Sequence, residues 1–134
     1  MTQEEKELLL KDLCARLPYR VKVKTPYNVA EFIGIVDRKG VRKDIDYTDI
    51  VTDKQTYPLR YCQPYLRPMS SMTKKEEIEY DATFATIEIN GHYDSTMTYK
   101  SFDFLNAHHF DYRGLIGLKL ALEAPEDMYK NLIK

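Results

Sequence analysis

Three features of the chain predict an α+β domain, an antiparallel sheet of four to six strands with N-terminal and C-terminal helices packed on it. A capping box at Thr2 opens an amphipathic run that stops at Pro18. Apolar and polar residues then alternate in short segments divided by turn residues. Farther on, Asn90-Gly91 lies between two more alternating segments, a hairpin signal. The 134 residues suit a single domain, 1–134, large enough to bury one core.

In the first helix, the Thr2 hydroxyl and the Glu5 carboxylate can satisfy the free amides of the opening turn. Leu10, Leu13, Cys14 and Leu17 then recur at helical spacing, so Cys14 is expected to be a buried thiol. Tyr19, Val21 and Val23 alternate with Arg20, Lys22 and Lys24, as in a strand with one dry and one wet face. Pro26-Tyr27-Asn28 turns the chain into residues 29–37, where Phe32, Ile33, Ile35 and Val36 predict a more fully buried strand. Lys39-Gly40 is the next turn, and weak alternation over 41–52 predicts a third strand. Residues 57–62 are compatible with a short strand, which Pro58 restricts to an edge or a strand beginning.

The stretch from Cys62 to Thr73, CQPYLRPMSSMT, is too proline-rich for a helix or a central strand, yet richer in Tyr, Leu and Met than a solvated loop. Thr73-x-x-Glu76 is a second capping box and starts a short helix through Ile78 and Tyr80, with Lys74 and Lys75 opposing its dipole. In the hairpin of 83–89 and 92–99, a two-residue turn would set Ile89 beside His92 and Ile87 beside Asp94. A three-residue loop with Gly91 left-handed pairs Ile87 with Tyr93 and Ala85 with Ser95. It gathers Thr86, Glu88, His92 and Asp94 on the other face, and hydrophobic pattern favours it. Ser101 is the expected N-cap of a helix near 102–109, and Asp111 caps a turn containing Leu115 and Ile116. Residues 115–122 fit helix or strand equally, and Pro125-Glu126-Asp127 reads as the start of a terminal helix.

Composition narrows the function classes. Residues 1–67 carry 13 Lys/Arg against 10 Asp/Glu and residues 68–134 carry 7 against 11, too slight an asymmetry to drive nucleic-acid binding. Two cysteines make neither a disulfide framework nor a ligand pair. The N-terminus lacks a signal-peptide pattern and no apolar run reaches membrane-spanning length, so a cytoplasmic protein with reduced thiols and no membrane partner is expected. Eleven Tyr with no Trp reflects β-propensity first and half-exposed faces or interfaces second.

The best enzyme-like constellation is His108, His109 and Asp111, with His92 and Asp94 as partners from the hairpin. Adjacent histidines point to different sides of a helix, whereas helical zinc sites use a spacing of three or four. The simpler reading packs one histidine at the helix end and leaves the other exposed. Cys62 beside a histidine would make a thiol–imidazole pair, but nothing in the pattern brings one there, so an inert thiol is the plainer reading. Ser70-Ser71 lacks a nucleophile elbow, and no phosphate-binding glycine pattern occurs. No catalytic residue, cofactor or metal ligand is assigned. Arg20, Lys22 and Lys24 with Tyr19 and Tyr27, extended by Arg38, Lys39, Arg42 and Lys43, form the alternative of a single-stranded nucleic-acid surface. A solvated strand face is the simpler account.

Three segments, MTQEEKELLLKDLCARL (1–17), PYLRPMSSMT (64–73) and FDFLNAHHFDYRGLIGLKLALEAPEDMY (102–129), cover under half the chain. They resemble a family of short proteins of gut bacteria, their phages and mobile elements, for which no activity, cofactor or catalytic residue is assigned. The resemblance implies an N-terminal helix, a β-rich middle, the Pro/Met segment, a hairpin and this C-terminal tail. Similar chains carry two extra polar residues before Gly-Leu-Ala-Leu-Glu-Ala-Pro, where this one reads Gly117-Leu118-Lys119-Leu120-Ala121. The expected function is that of a small accessory protein acting by binding a protein partner or itself. Tyr65, Leu66, Arg67, Met69 and Met72 are its candidate surface. The alternatives are an enzyme built on the histidines and the nucleic-acid surface.

Overall fold

Helix α1 (Gln3–Ala15) begins as its capping box requires, with the Thr2 hydroxyl accepting from the Glu5 amide and Glu5 accepting from the Thr2 amide. In this computed structural model, which describes residues 1–37 and 48–130, the inward face of α1 consists of Leu9, Asp12, Leu13 and Arg16. The predicted stripe is therefore rotated: Leu13 is buried, but Cys14 and Leu17 are exposed. The physical reason is that Asp12 and Arg16, one turn apart, neutralise each other and enter the interior as a pair (Nε–Oδ2 2.8 Å).

The main sheet runs β4 (Thr56–Pro58), β3 (Thr48–Thr52), β2 (Val29–Asp37), β1 (Lys22–Lys24), β5 (Gln63–Leu66), β8 (Leu122–Glu123), counting strands in chain order. It is antiparallel except for the last pair, where β8 lies parallel to β5. Leu9 and Leu13 join a core with Val21, Val23, Phe32, Ile50, Leu59 and Leu66. Val21 and Val23 are buried as alternation demands. The turn after β1 closes on the Thr25 hydroxyl, which accepts from the Asn28 amide. Strand β2 is less buried than its composition suggests: Phe32 is inside, but Ile33 and Val36 are exposed, because a bulge between Phe32 and Gly34 exchanges the two faces and leaves Ile35, not Val36, packed on the core. The predicted Lys39-Gly40 turn and the first part of the third strand lie outside the described residues. Pro58 ends an edge strand as expected, although a 3-10 turn (Leu59–Tyr61) replaces the strand predicted through Cys62.

Pro64 corrects the expectation that the Pro/Met segment avoids the sheet interior. It stands opposite Val23 in β5, between β1 and β8, and β8 meets β5 only from Tyr65 onward. The missing proline donor therefore precedes the second ladder. The next step of the β1–β5 ladder is completed by a side chain: the Lys22 amide donates to the Tyr129 hydroxyl (3.0 Å), which donates to the Tyr65 carbonyl (2.7 Å). Tyr129→Phe leaves both backbone groups without this partner and is expected to lower stability by about 1–3 kcal/mol. The check is a lower urea midpoint at unchanged m-value.

Helix α2 (Lys74–Asp81) follows the second capping box, and α3 (Tyr99–Ala107) starts earlier than predicted. Thr98 is the N-cap, and Ser101 answers from the third position. The Asp111 carboxylate accepts from the Leu115 and Ile116 amides (2.8 and 2.9 Å), as its capping role predicted. Residues 115–119 form turns, and the chain then enters short β8. In place of the predicted terminal helix, turns follow Pro125 within the described residues.

The hairpin, β6 (Ala85–Ile89) and β7 (His92–Thr96), corrects the predicted register. Ile89 pairs with His92 and Ile87 with Asp94 across a two-residue turn, Asn90 (φ 52°) and Gly91 (φ 80°). Pattern sets register only where one face is buried. Here all of Thr86–Thr96 is exposed, so the two left-handed turn residues decide.

Candidate binding groove

Arg67 leaves β5 toward α2 and meets Glu76 in a two-pronged pair, Nη1 to Oε2 and Nη2 to Oε1, both 2.7 Å. Glu76 also caps α2 by accepting from the Thr73 amide (3.0 Å), and its Oε2 receives Nδ1 of His108 (3.1 Å) from the end of α3. One carboxylate thus ties together the Pro/Met segment, α2 and α3. The guanidinium lies over the Phe110 ring at 4.2 Å, and His108 stacks on Phe104 at 4.1 Å. The bonds from Arg67 hold the Glu76 carboxyl down at about 2, against the opposing effect of burial. Burial lowers the His108 pKa even though the Glu76 charge pulls the other way. With Glu76 ionised, the Nδ1 proton of neutral His108 faces the carboxylate.

Beside this cluster lies a groove of about 950 Å³. Pro68, Ser71 and Thr73 form one side with Lys75 and Glu79 of α2, and residues 123–126 with Tyr129 and Lys130 form the other. Two backbone bonds hold the end of α3 against the exit of β5: the Arg67 amide donates to the His109 carbonyl (2.7 Å) and the Asp111 amide to the Arg67 carbonyl (2.8 Å). Glu79, Glu123 and Glu126 make no ion pair among the described residues, nor do Lys75 and Lys130.

The predicted surface residues separate. Arg67 belongs to the groove, Met69 is exposed, and Tyr65 and Met72 are half-buried. Leu66 is a correction: it is fully buried in the core and cannot meet a partner. The histidine constellation does not assemble. His108 faces Glu76, while buried His109 stacks on Tyr129 at 4.0 Å, with burial holding its pKa down at about 3. Asp111 is occupied with the 115–116 amides, and His92 and Asp94 lie exposed on the hairpin. Among the described residues, no three His, Cys, Asp or Glu side chains come together to hold a metal ion. Cys62 is buried, its thiol pushed up to about 11 by desolvation, which makes it a poor nucleophile. The predicted basic strand begins only at Lys22: Tyr19 ends a 3-10 turn, Arg20 (φ 52°) follows it and pairs with Glu31 (3.1 Å), Lys22 is half-buried, and Lys24 and Tyr27 remain exposed.

Sequence reasoning read Glu76 only as a cap and missed the wall formed by Glu123, Glu126 and Tyr129. The capping-box spacing shows the first role but carries no sign of the second. No family model matches the chain, and no curated protein or solved structure matches it either. No described helix is long and apolar enough to cross a membrane.

Proposed function

We propose that the chain acts by binding an extended, basic segment of a protein partner in this groove. The observation that carries the reading is a wall held by the Arg67–Glu76–His108 cluster, facing a volume of ligand-binding size rimmed by carboxylates that make no ion pair among the described residues. Glu76 is neutralised by Arg67, so Glu79, Glu123 and Glu126 outweigh Lys75 and Lys130, and a cationic segment is the complementary occupant. A preorganised wall also lowers the ordering cost of binding. Exposed Cys14 and buried Cys62 are both free thiols, which suits a reducing cytoplasm as the place of action.

A random-peptide display selection against the folded protein tests the reading. Lys/Arg-containing peptides are expected, with affinity reduced at least about tenfold by Glu79→Lys/Glu126→Lys at unchanged circular dichroism. Peptides that bind the reversed variant as well as the parent would show that the groove is not the site.

A further inference from the structure

The β6–β7 ribbon stands apart from the main sheet, and among the described residues each of its strands pairs only with the other. Both of its faces are wet: Ile87 is 39%, Ile89 52% and Tyr93 72% exposed. A lone two-stranded ribbon is marginal in water, and a third and fourth strand would relieve that.

The register specifies which edge is open. A two-residue turn makes Ile89–His92, Ile87–Asp94 and Ala85–Thr96 the hydrogen-bonded pairs. Thr86 and Glu88 therefore direct their N–H and C=O groups away from β7. Strand β6, Ala85-Thr86-Ile87-Glu88-Ile89, has no proline, lysine or bulge, the usual guards of an open edge.

We propose that two copies of the chain join through β6, antiparallel about a two-fold axis at Ile87, to make a four-stranded sheet. In that register Thr86 exchanges backbone bonds with the second copy's Glu88, and Glu88 with its Thr86. Ile87 meets its own copy and Ala85 meets Ile89, both in the non-hydrogen-bonded pairs where side chains approach most closely. No like charges oppose each other. Stacking the ribbons face to face instead would bury His92 and Asp94, which share the face of Ile87 and Ile89, whereas edge pairing leaves both wet. The β7 edge also accepts a two-fold, about Tyr93, but it lacks the isoleucines.

Sedimentation equilibrium on the full chain, from about 10 μM to about 1 mM, reads the result, because so short an interface implies weak association. The wild type is expected to pass from 15.8 kDa toward twice that mass. Thr86→Pro removes only an outward donor, so it spares the β6–β7 ladder and is expected to stay monomeric throughout. Ser95→Pro blocks the outer edge of β7 in the same way and is expected to dimerise like the parent. Ile87→Lys, at an exposed site, sets like charges on the axis and is expected to be monomeric even where a proline disturbs the hairpin. A wild type monomeric throughout, dimers that survive both Thr86→Pro and Ile87→Lys, or dimers abolished by Ser95→Pro would each overturn the proposal.

Discussion

Asp12→Ala is expected to destabilise the protein by about 3–5 kcal/mol, a large part of the 5–15 kcal/mol that holds a domain of this size together. Asp12 and Arg16 are each fully buried, and two bonds join them (2.8 and 3.1 Å). The Arg16 guanidinium also donates to the Phe110 carbonyl (2.5 Å), and Arg113 reaches Asp12 from its half-exposed position (3.0 Å). Without the carboxylate, the Arg16 charge stays inside with the Phe110 carbonyl and the face of the Tyr112 ring (5.5 Å) for company. Arg113 can turn to water, so most of the loss comes from Arg16. The double variant Asp12→Leu/Arg16→Met removes both charges at similar volume and is expected to recover most of the loss. Recovery is incomplete because the Phe110 carbonyl loses its donor. Urea unfolding of the three proteins checks this. Equal stabilities for the single and double variants would mean that the uncompensated charge is not the source.

The same pair shows where the sequence is and is not legible. Local chemistry reads well: both capping boxes, the turn before Asn28, the edge placement of Pro58 and the Asp111 cap are decided by a few neighbouring residues. What fails depends on burial by distant elements. The periodicity of α1 excludes Asp12 and Arg16 from the core because each is judged alone, and only their pairing admits them. The hairpin fails for the opposite reason, since hydrophobic pattern is given a vote where nothing is buried. The groove is the hardest case. Arg67 and Glu76 are 9 residues apart and His108 a further 32 along, so their meeting on one carboxylate is a tertiary event.

Acidification is expected to weaken the fold in two stages. His109 is 1% exposed, and burial holds its pKa at about 3 against an ordinary 6.5. The folded state keeps the ring neutral while the unfolded chain takes up a proton. This contribution is complete above pH 6.5 and is lost as pH falls toward 3. His108 is lowered chiefly by burial and acts with the same sign. Glu76 is held at about 2, chiefly by Arg67, against an ordinary 4.5, so its contribution is full above pH 4.5 and disappears as pH falls toward 2. Displacements of this size are worth about 3 kcal/mol for the carboxylate and more for the imidazole. Urea midpoints are therefore expected to fall from pH 7 to 5, before ordinary carboxylates titrate, and to fall again below 4.5. His109→Asn suits the left-handed backbone there (φ 63°) and is expected to flatten the first decline, leaving only the share of His108. Glu76→Gln is expected to flatten the second while lowering stability at neutral pH, because Arg67 loses its charged partner. A wild-type midpoint that stays level between pH 7 and 5 would mean that His109 is not held neutral in the interior.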